Sequence, residues 1–186
     1  NYVARGYMAT PISITVEGAN ILTRSLIIFG QGAIRCHPFV LRELNAAQNE
    51  DRDDGLHEFD AVLFEHIGYA ISNLARSFIL ALTHGKFSTV PLKTPTRRYY
   101  QNINRYSAAF ALMADFSILT LGGKLKQKEL LSARLGDVLS SMYLASTVLK
   151  HFEDQGQCKA DLPLVEWSIR TLMYQAQEQL HNLLRN

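Results

Sequence analysis

The chain has 186 residues, of which 47% are hydrophobic and 19% are charged, and its formal net charge is +2. These values exclude a disordered tail, allow one ordinary core or two small ones, and give too little positive charge to indicate nucleic-acid binding. The two cysteines, Cys36 and Cys158, form no closely spaced pair, which favours a reducing compartment and a cytoplasmic location. No apolar run approaches the roughly 20 residues that a membrane-spanning helix needs.

The first 31 residues contain the carboxylate with the clearest chemical potential, Glu17. Residues 1–10 show no period and predict a loop, and the β-branched run at 12–16 predicts a short extended segment. Asn20 is an acceptable N-cap for the helical spacing that follows, so Glu17 is predicted to lie at or beside a helix N-terminus. From this pattern two roles stay open for Glu17: a general base in a site that excludes water, or a capping or surface glutamate.

The triplet Cys36-His37-Pro38 brings a thiol beside an imidazole, and its proline breaks the preceding helix. A nucleophile with its base and a pair of metal ligands are both chemically conceivable. However, adjacent side chains point apart, and no second ligand pair stands at metal-binding spacing. The sequence therefore favours a structural role for the triplet, and we predict no metal site.

A polar stretch at 45–55 is the best linker candidate, and we place the linker at residues 49–57. Beyond it the apolar residues follow the three-and-four spacing of long amphipathic helices. The predicted starts of the four helices are near Phe59, Thr96, Lys126 and Asp161. The predicted fold is all-α, an antiparallel bundle of about six helices with the short extended segment near its N-terminus.

Two charged groups on these helices have competing interpretations. Cations alternate with aromatic side chains at the start of the second long helix, as on a phosphate or nucleic-acid surface. The members are Arg97, Arg98, Tyr99, Tyr100, Arg105 and Tyr106. The low net charge favours the alternative, with tyrosines facing the core and arginines facing solvent. Arg134 and Asp137 are predicted to form an ion pair within their helix or to reach another helix.

Two stretches resemble the catalytic region of acyl-CoA dehydrogenases: Ile14-Thr-Val-Glu-Gly-Ala-Asn-Ile-Leu-Thr-Arg24 and Ile28-Phe-Gly-Gln-Gly-Ala-Ile-Arg-Cys-His-Pro38. Later segments are similar to the additional C-terminal region of the large proteobacterial long-chain type in fatty-acid degradation. These segments are Arg98-Tyr-Tyr-Gln101, Leu121-Gly-Gly-Lys-Leu125, Ser132-Ala-Arg-Leu-Gly-Asp-Val-Leu139, Tyr143-Leu-Ala-Ser146 and Ala160-Asp-Leu-Pro-Leu164.

The resemblance implies an FAD-dependent enzyme that forms trans-2-enoyl-CoA from saturated acyl-CoA in β-oxidation. By the same resemblance Glu17 is the base that removes the α-proton while a hydride passes to FAD. Gly18, Ala19 and Asn20 would approach the cofactor mainly through backbone atoms, because Ala19 replaces the threonine usual in the family. Residues 1–48 would then end the catalytic helical domain, and residues 58–186 would form the additional bacterial-type domain.

The resemblance also implies partners. They are an acyl-CoA substrate, an electron-transfer flavoprotein and further copies of the chain, with no nucleic acid. A peripheral contact with the inner membrane stays open. Because the chain begins with Asn and lacks the regions that enclose FAD in such enzymes, we expect it to be part of a longer protein, to retain little FAD and to be inactive alone. The alternative function is a helical interaction or scaffold module that mediates oligomerisation or docking to a membrane or partner.

Overall fold

The computed structural model describes residues 2–22, 32–90 and 95–185, and the side chains at 13–22, 33 and 126 lie outside the description. Within these ranges it contains seven α-helices, one 3-10 turn at Gly122–Lys126 and no strand, which confirms the all-α class. The helices are α1 (Tyr2–Leu22), α2 (Gly32–Cys36), α3 (Val40–Ala47), α4 (Arg52–Leu82), α5 (Arg97–Leu121), α6 (Glu129–Asp154) and α7 (Leu162–Leu184).

The N-terminal segment departs from the prediction, because α1 spans both the predicted loop and the predicted extended run at 12–16. Glu17 therefore lies within a helix rather than at its start, and Asn20 is near the C-terminal end of that helix instead of capping a new one. A β-branched residue costs a helix at most about 0.7 kcal/mol relative to alanine, so four of them do not exclude a helix. The helical spacing predicted after Asn20 extends into residues 23–31, which lie outside the described residues.

The predicted linker is shorter in the structure. Residues 48–51 separate α3 from α4, and residues 52–57 are already helical. The side chain of Asp51 starts α4 by accepting hydrogen bonds from the backbone N–H groups of Asp53 and Asp54, at 3.0 and 3.2 Å. This bonding satisfies donors that a helix start otherwise leaves unpaired, so it is the physical reason that α4 begins within the polar stretch. The domain boundary itself stays a prediction.

The four long helices are antiparallel neighbours along the chain, as predicted. Asn73 on α4 donates to Asp115 on α5 at 3.1 Å, in the second half of both helices. Thr96, just before α5, donates to Glu153 at the end of α6 at 2.7 Å. Arg134, near the start of α6, donates to the carbonyl of Asn182 near the end of α7 at 2.6 Å.

The main core lies between α5, α6 and α7. Its central apolar side chains are fully or almost fully buried, at the spacing that the sequence indicates. The buried members are Tyr106, Val138, Met142, Ala145, Leu149, Phe152, Val165, Ile169, Met173 and Ala176. A smaller cluster around Leu125 and Leu135 continues this core towards the 3-10 turn. The bundle therefore has one extended core, with α4 and α3 added on the side of α5.

One segment, Arg97–Leu125, is long and apolar enough to cross a membrane by length and composition. It consists of α5 and the beginning of the 3-10 turn, and α5 packs against α4, α6 and α7. A helix in contact with three others needs apolar residues on most of its faces. Packing therefore accounts for the apolar residues on the contacted faces of α5, whereas Phe116 and Leu119 on the same helix are exposed.

Candidate functional site

Between α3, α4 and α5 the structure brings together polar side chains that lie far apart in the sequence. His37 stands in the turn between α2 and α3, and its Nδ1 accepts hydrogen bonds from the backbone N–H groups of Phe39 and Val40, each at 3.2 Å. Its Nε2 lies 2.8 Å from Oδ1 of Asp115, and the two side chains are only 9% and 10% exposed. Oδ2 of the same carboxylate accepts from Asn73. His37 thus links the start of α3 to Asp115 in the second half of α5.

A second imidazole lies against the first. His66 on α4 is 2.7 Å through Nδ1 from Oε1 of Glu43 on α3, and its ring centroid is 4.8 Å from that of His37. Phe39 stacks on His66 at 5.4 Å, and Tyr69 meets the His37 ring edge-on at 5.9 Å. We call the four polar residues His37, Glu43, His66 and Asp115 the histidine cluster. It joins three helices with two carboxylate–imidazole contacts.

The histidine cluster has the residue types of a metal site, because His37, His66 and Asp115 each offer a ligand atom within 4.8 Å of the others. The hydrogen bonds of the His37 ring, however, decide which of its nitrogens carries the proton, and this bears on metal binding. Nδ1 of His37 accepts two N–H groups, so a neutral ring carries its proton on Nε2 and donates it to Asp115. In this tautomer Nε2 carries a proton, and the lone pair of Nδ1 already accepts two hydrogen bonds. Neither nitrogen of His37 is then available to a metal ion. These bonds give His37 a structural contact between the start of α3 and α5, and the absence of a metal site stays a prediction.

A cavity of about 320 Å³ opens beside the histidine cluster. Its walls come from α2, the turn after it, α4, α5 and α6. They are mainly apolar apart from the side chains of His37, Ser107 and Asp115. The described lining residues include Tyr69, Phe110 and Leu139. The exposed thiol of Cys36 lies at its edge. Because Asp115 is the acidic group in this wall, the cavity suits an apolar group better than a phosphate.

The residues predicted to carry the chemistry lie elsewhere. Glu17, Gly18, Ala19 and Asn20 belong to the backbone of α1, but their side chains are outside the description. The structure therefore gives no geometry for a base at Glu17 or for contacts with a cofactor. These assignments stay predictions.

At the start of α5 the tyrosines face the core, as the alternative interpretation expects. Of the arginines, Arg97 is exposed, whereas Arg98 and Arg105 are half-buried. Tyr99 and Tyr100 pack against the main core, and the hydroxyl of Tyr106 donates to Gln177 on α7 at 2.9 Å. Burial raises the pKa of Tyr106, and the nearby Arg105 partly offsets this rise. Burial also raises the pKa of Tyr100, and the neighbouring carboxylates of Glu153 and Asp154 raise it further. The three tyrosines thus contribute to the packing of the bundle.

The guanidinium of Arg134 on α6 reaches α7, which is one of the two arrangements left open for this residue. It donates to the carbonyl oxygen of Asn182 in the last turn of that helix. The last carbonyls of a helix lack partners within the helix and bear its partial negative charge, which makes a cation there favourable. This hydrogen bond joins the start of α6 to the end of α7, at the end of the hairpin opposite its loop.

Sequence reasoning missed His66 and Asp115 as neighbours of His37. They lie 29 and 78 positions beyond His37 and on different helices, so no local pattern joins them to it. One signal was available: Asp115 is the single charged residue in the apolar run from Ala108 to Leu119. A lone carboxylate on a core helix needs a buried donor, and a histidine at a distant turn meets that requirement.

The four long helices, with α3 packed against α4 and α2 packed against α3, define a helical domain of the all-α class. A family model described as acyl-CoA dehydrogenase, C-terminal, bacterial type, matches residues 34–186. The match covers well over half of the chain, and the chain therefore belongs to this family of acyl-CoA dehydrogenase C-terminal domains. No solved structure matches the chain. The family confirms the resemblance found in the sequence and supports a general role in an acyl-CoA dehydrogenase.

Proposed function

We propose that this chain is the C-terminal part of an FAD-dependent acyl-CoA dehydrogenase that forms trans-2-enoyl-CoA from saturated acyl-CoA, with Glu17 as the base. The observation that carries the proposal is the family match over residues 34–186, directly after the stretch that contains Glu17. The match begins 17 positions beyond Glu17, so the base assignment rests on the resemblance of its own neighbours.

The proposed role of Glu17 is to take the α-proton of the acyl thioester. That proton is weakly acidic, so the carboxylate must be held against it where water is excluded. FAD, as the family implies, supplies the acceptor for the hydride that leaves the β-carbon. Gly18, Ala19 and Asn20 are proposed to lie beside the cofactor through backbone atoms.

Among the described residues, the cavity beside the histidine cluster does not suit FAD. The cavity beside the histidine cluster is lined mainly by apolar side chains and by the carboxylate of Asp115, which repels a diphosphate. We therefore propose that FAD is held by other parts of a complete enzyme and that the isolated chain is inactive. Flavin absorbance measured on the purified chain tests this point, and stoichiometric flavin would contradict it.

The test of the base is Glu17→Gln in the complete enzyme. Loss of a general base typically lowers the rate by about 100- to 10,000-fold, and the amide keeps the shape of the side chain. We expect this loss in acyl-CoA dehydrogenation together with an unchanged flavin spectrum. Glu58→Gln, at an exposed position of α4, is the matched control and should keep full activity. Turnover by Glu17→Gln within threefold of the control would refute the assignment.

We further propose an electron-transfer flavoprotein as the electron acceptor, self-association as a homo-oligomer, and a cytoplasmic location. The support for the first two is family membership. The support for the location is that Cys36 and Cys158 are both unpaired and exposed, as is usual in a reducing compartment.

A second candidate function is that the bundle acts as an interaction module. One observation favours it: α4 exposes a row of large apolar side chains along the face that points away from the bundle. The domain assignment of residues 58–186 remains part of this proposal. The two functions are compatible, because a dehydrogenase domain and an interaction surface can share one chain.

A further inference from the structure

Helix α4 is apolar on two opposite sides, and only one of them is covered. Its inner face packs towards α3 and α5 and includes the buried Val62, Asn73 and Leu80. We call the other side the α4 outer face. It consists of Phe64, Ile67, Ile71, Leu74, Phe78 and Leu82, which recur every three or four residues and are between 46% and 72% exposed. Such spacing places them on one stripe of the helix.

The α4 outer face is a longer apolar stripe, with fewer charged residues, than the surface of a monomeric domain normally exposes. Its first and last members span 19 residues, or roughly 28 Å of helix. From Ile67 to Leu82 the only charged residue of α4 is Arg76. Contiguous apolar patches of this kind mark interaction sites, because exposing them to water costs about 25 cal/mol for each Å².

Charge along α4 indicates what covers this face. Residues 51–65 contain six acidic residues and one basic residue, Arg52, whereas residues 66–90 contain Arg76 and Lys86 and no acidic residue. The first half of the helix therefore carries negative charge, of which Glu65 is paired with Arg42 at 2.8 Å and Asp60 lies exposed on the outer-face stripe. The exposed Lys86 lies just beyond the end of the helix. A second copy laid antiparallel along the same face would place each acidic end beside a basic end, and its helix dipole would be opposed as well.

We propose that the α4 outer face binds the same face of a second copy of this chain, antiparallel and related by a two-fold axis near residue 73. Positions related by this axis are equally far from it, so Phe64 lies opposite Leu82 of the second copy and Ile71 lies opposite Leu74. Asp60, on the same stripe as Phe64, lies opposite Lys86. An interface that uses one patch twice is the common form of a symmetric dimer.

This inference names the surface for the self-association proposed above, on which it rests, and it involves none of the residues assigned to catalysis. Two-fold symmetry doubles each contact, so every ion pair and every apolar pair occurs at both ends. A standard interface uses about 800 Å² of each partner, and one helix face is small by that measure. We therefore expect a reversible dimer whose mass depends on protein concentration.

The first experiment measures the mass of the 186-residue chain by sedimentation over a concentration series. The wild-type mass should approach twice 21.0 kDa. Ile71→Lys should keep the mass at that of one chain, because it buries a charge at the centre of the interface. Leu164→Lys is the matched control, since Leu164 is similarly exposed on α7 and should dimerise as the wild type does. Circular dichroism verifies that both variants are folded.

The second experiment exchanges the charges at the two ends. Asp60→Lys and Lys86→Asp should each weaken dimerisation by roughly three- to thirtyfold, because each creates two like-charged contacts. The double variant should recover wild-type dimerisation. Only an arrangement in which positions 60 and 86 meet across two copies gives this recovery.

Several outcomes would overturn the proposal. A wild-type chain that stays monomeric at every concentration contradicts it, as does a dimer that Ile71→Lys leaves intact. Failure of the double charge exchange to recover dimerisation contradicts the antiparallel arrangement. Binding of a monomeric wild-type chain to phosphatidylglycerol vesicles, lost in Ile71→Lys, would assign the face to a membrane instead. Each result is independent of the activity test on Glu17.

Discussion

Helix α1 and the α6–α7 hairpin consist of helices of similar length but differ in what covers their apolar side chains. In the described part of α1, the large apolar side chains from Tyr2 to Ile12 are exposed. In the hairpin, the corresponding side chains form the main core, and Leu149 and Ile169 are completely buried. Helical stability in proteins comes mainly from such packing. The comparison shows that the segment with the predicted base depends on structure outside its own helix, whereas the bundle carries its own core.

The largest expected effect comes from opening a cavity in the hairpin. Leu149→Ala should lower the free energy of unfolding by about 2–5 kcal/mol, because a 0% exposed leucine loses both its buried surface and its packing. Met8→Ala in α1, at a side chain that is 69% exposed, should change it by less than about 0.5 kcal/mol. Urea unfolding followed by circular dichroism measures both. Equal effects at the two positions would remove the distinction between the regions.

A smaller effect is expected where the bundle is joined to α3. His37→Ala removes the donor to Asp115, and that carboxylate, whose side chain is 10% exposed, keeps the hydrogen bond from Asn73. Loss of a partner at a buried polar group costs about 1–3 kcal/mol, and urea unfolding should show a loss in this range. His57→Ala, at an exposed position of α4, serves as the control. A result equal to the control would show that the His37 contact adds no stability.

The smallest effect distinguishes two aspartates at helix starts. Asp51 accepts two backbone hydrogen bonds at the start of α4, so Asp51→Ala should cost about 1 kcal/mol. Asp161 holds the equivalent position before α7, but its side chain makes no capping hydrogen bond. Asp161→Ala should therefore change the unfolding free energy by only a few tenths of a kcal/mol, within the range of surface substitutions. The reverse order in thermal melts would contradict the bonding at these two ends.

The long helices were predictable because their information is local. The three-and-four spacing of apolar residues identified α4 to α7. Gly85 and Gly122 follow the ends of α4 and α5, with positive φ angles of 76° and 50°. The prediction of an extended segment at 12–16 was wrong, because the preference of β-branched residues for extended backbone is weak. The linker was predicted too long because the charged residues after Asp51 look like a loop although they form the first turns of α4.

The histidine cluster was not predictable, since its members come from three helices whose arrangement no single segment encodes. Only the exceptional position of Asp115 on an apolar helix pointed to a hidden partner. The α4 outer face shows the opposite case. Its residues fit the helical pattern expected of a buried side, and the sequence could not reveal that α4 has a second side already buried against the bundle.

The most direct test of the division between α1 and the bundle is amide hydrogen exchange on the 186-residue chain. We expect the amides of residues 3–10 in α1 to exchange nearly as fast as in an unfolded peptide, since their side chains are exposed. The amides of α6 and α7 around Leu149 and Ile169 should exchange only through global unfolding. Equal protection of α1 and the α6–α7 hairpin would contradict the account.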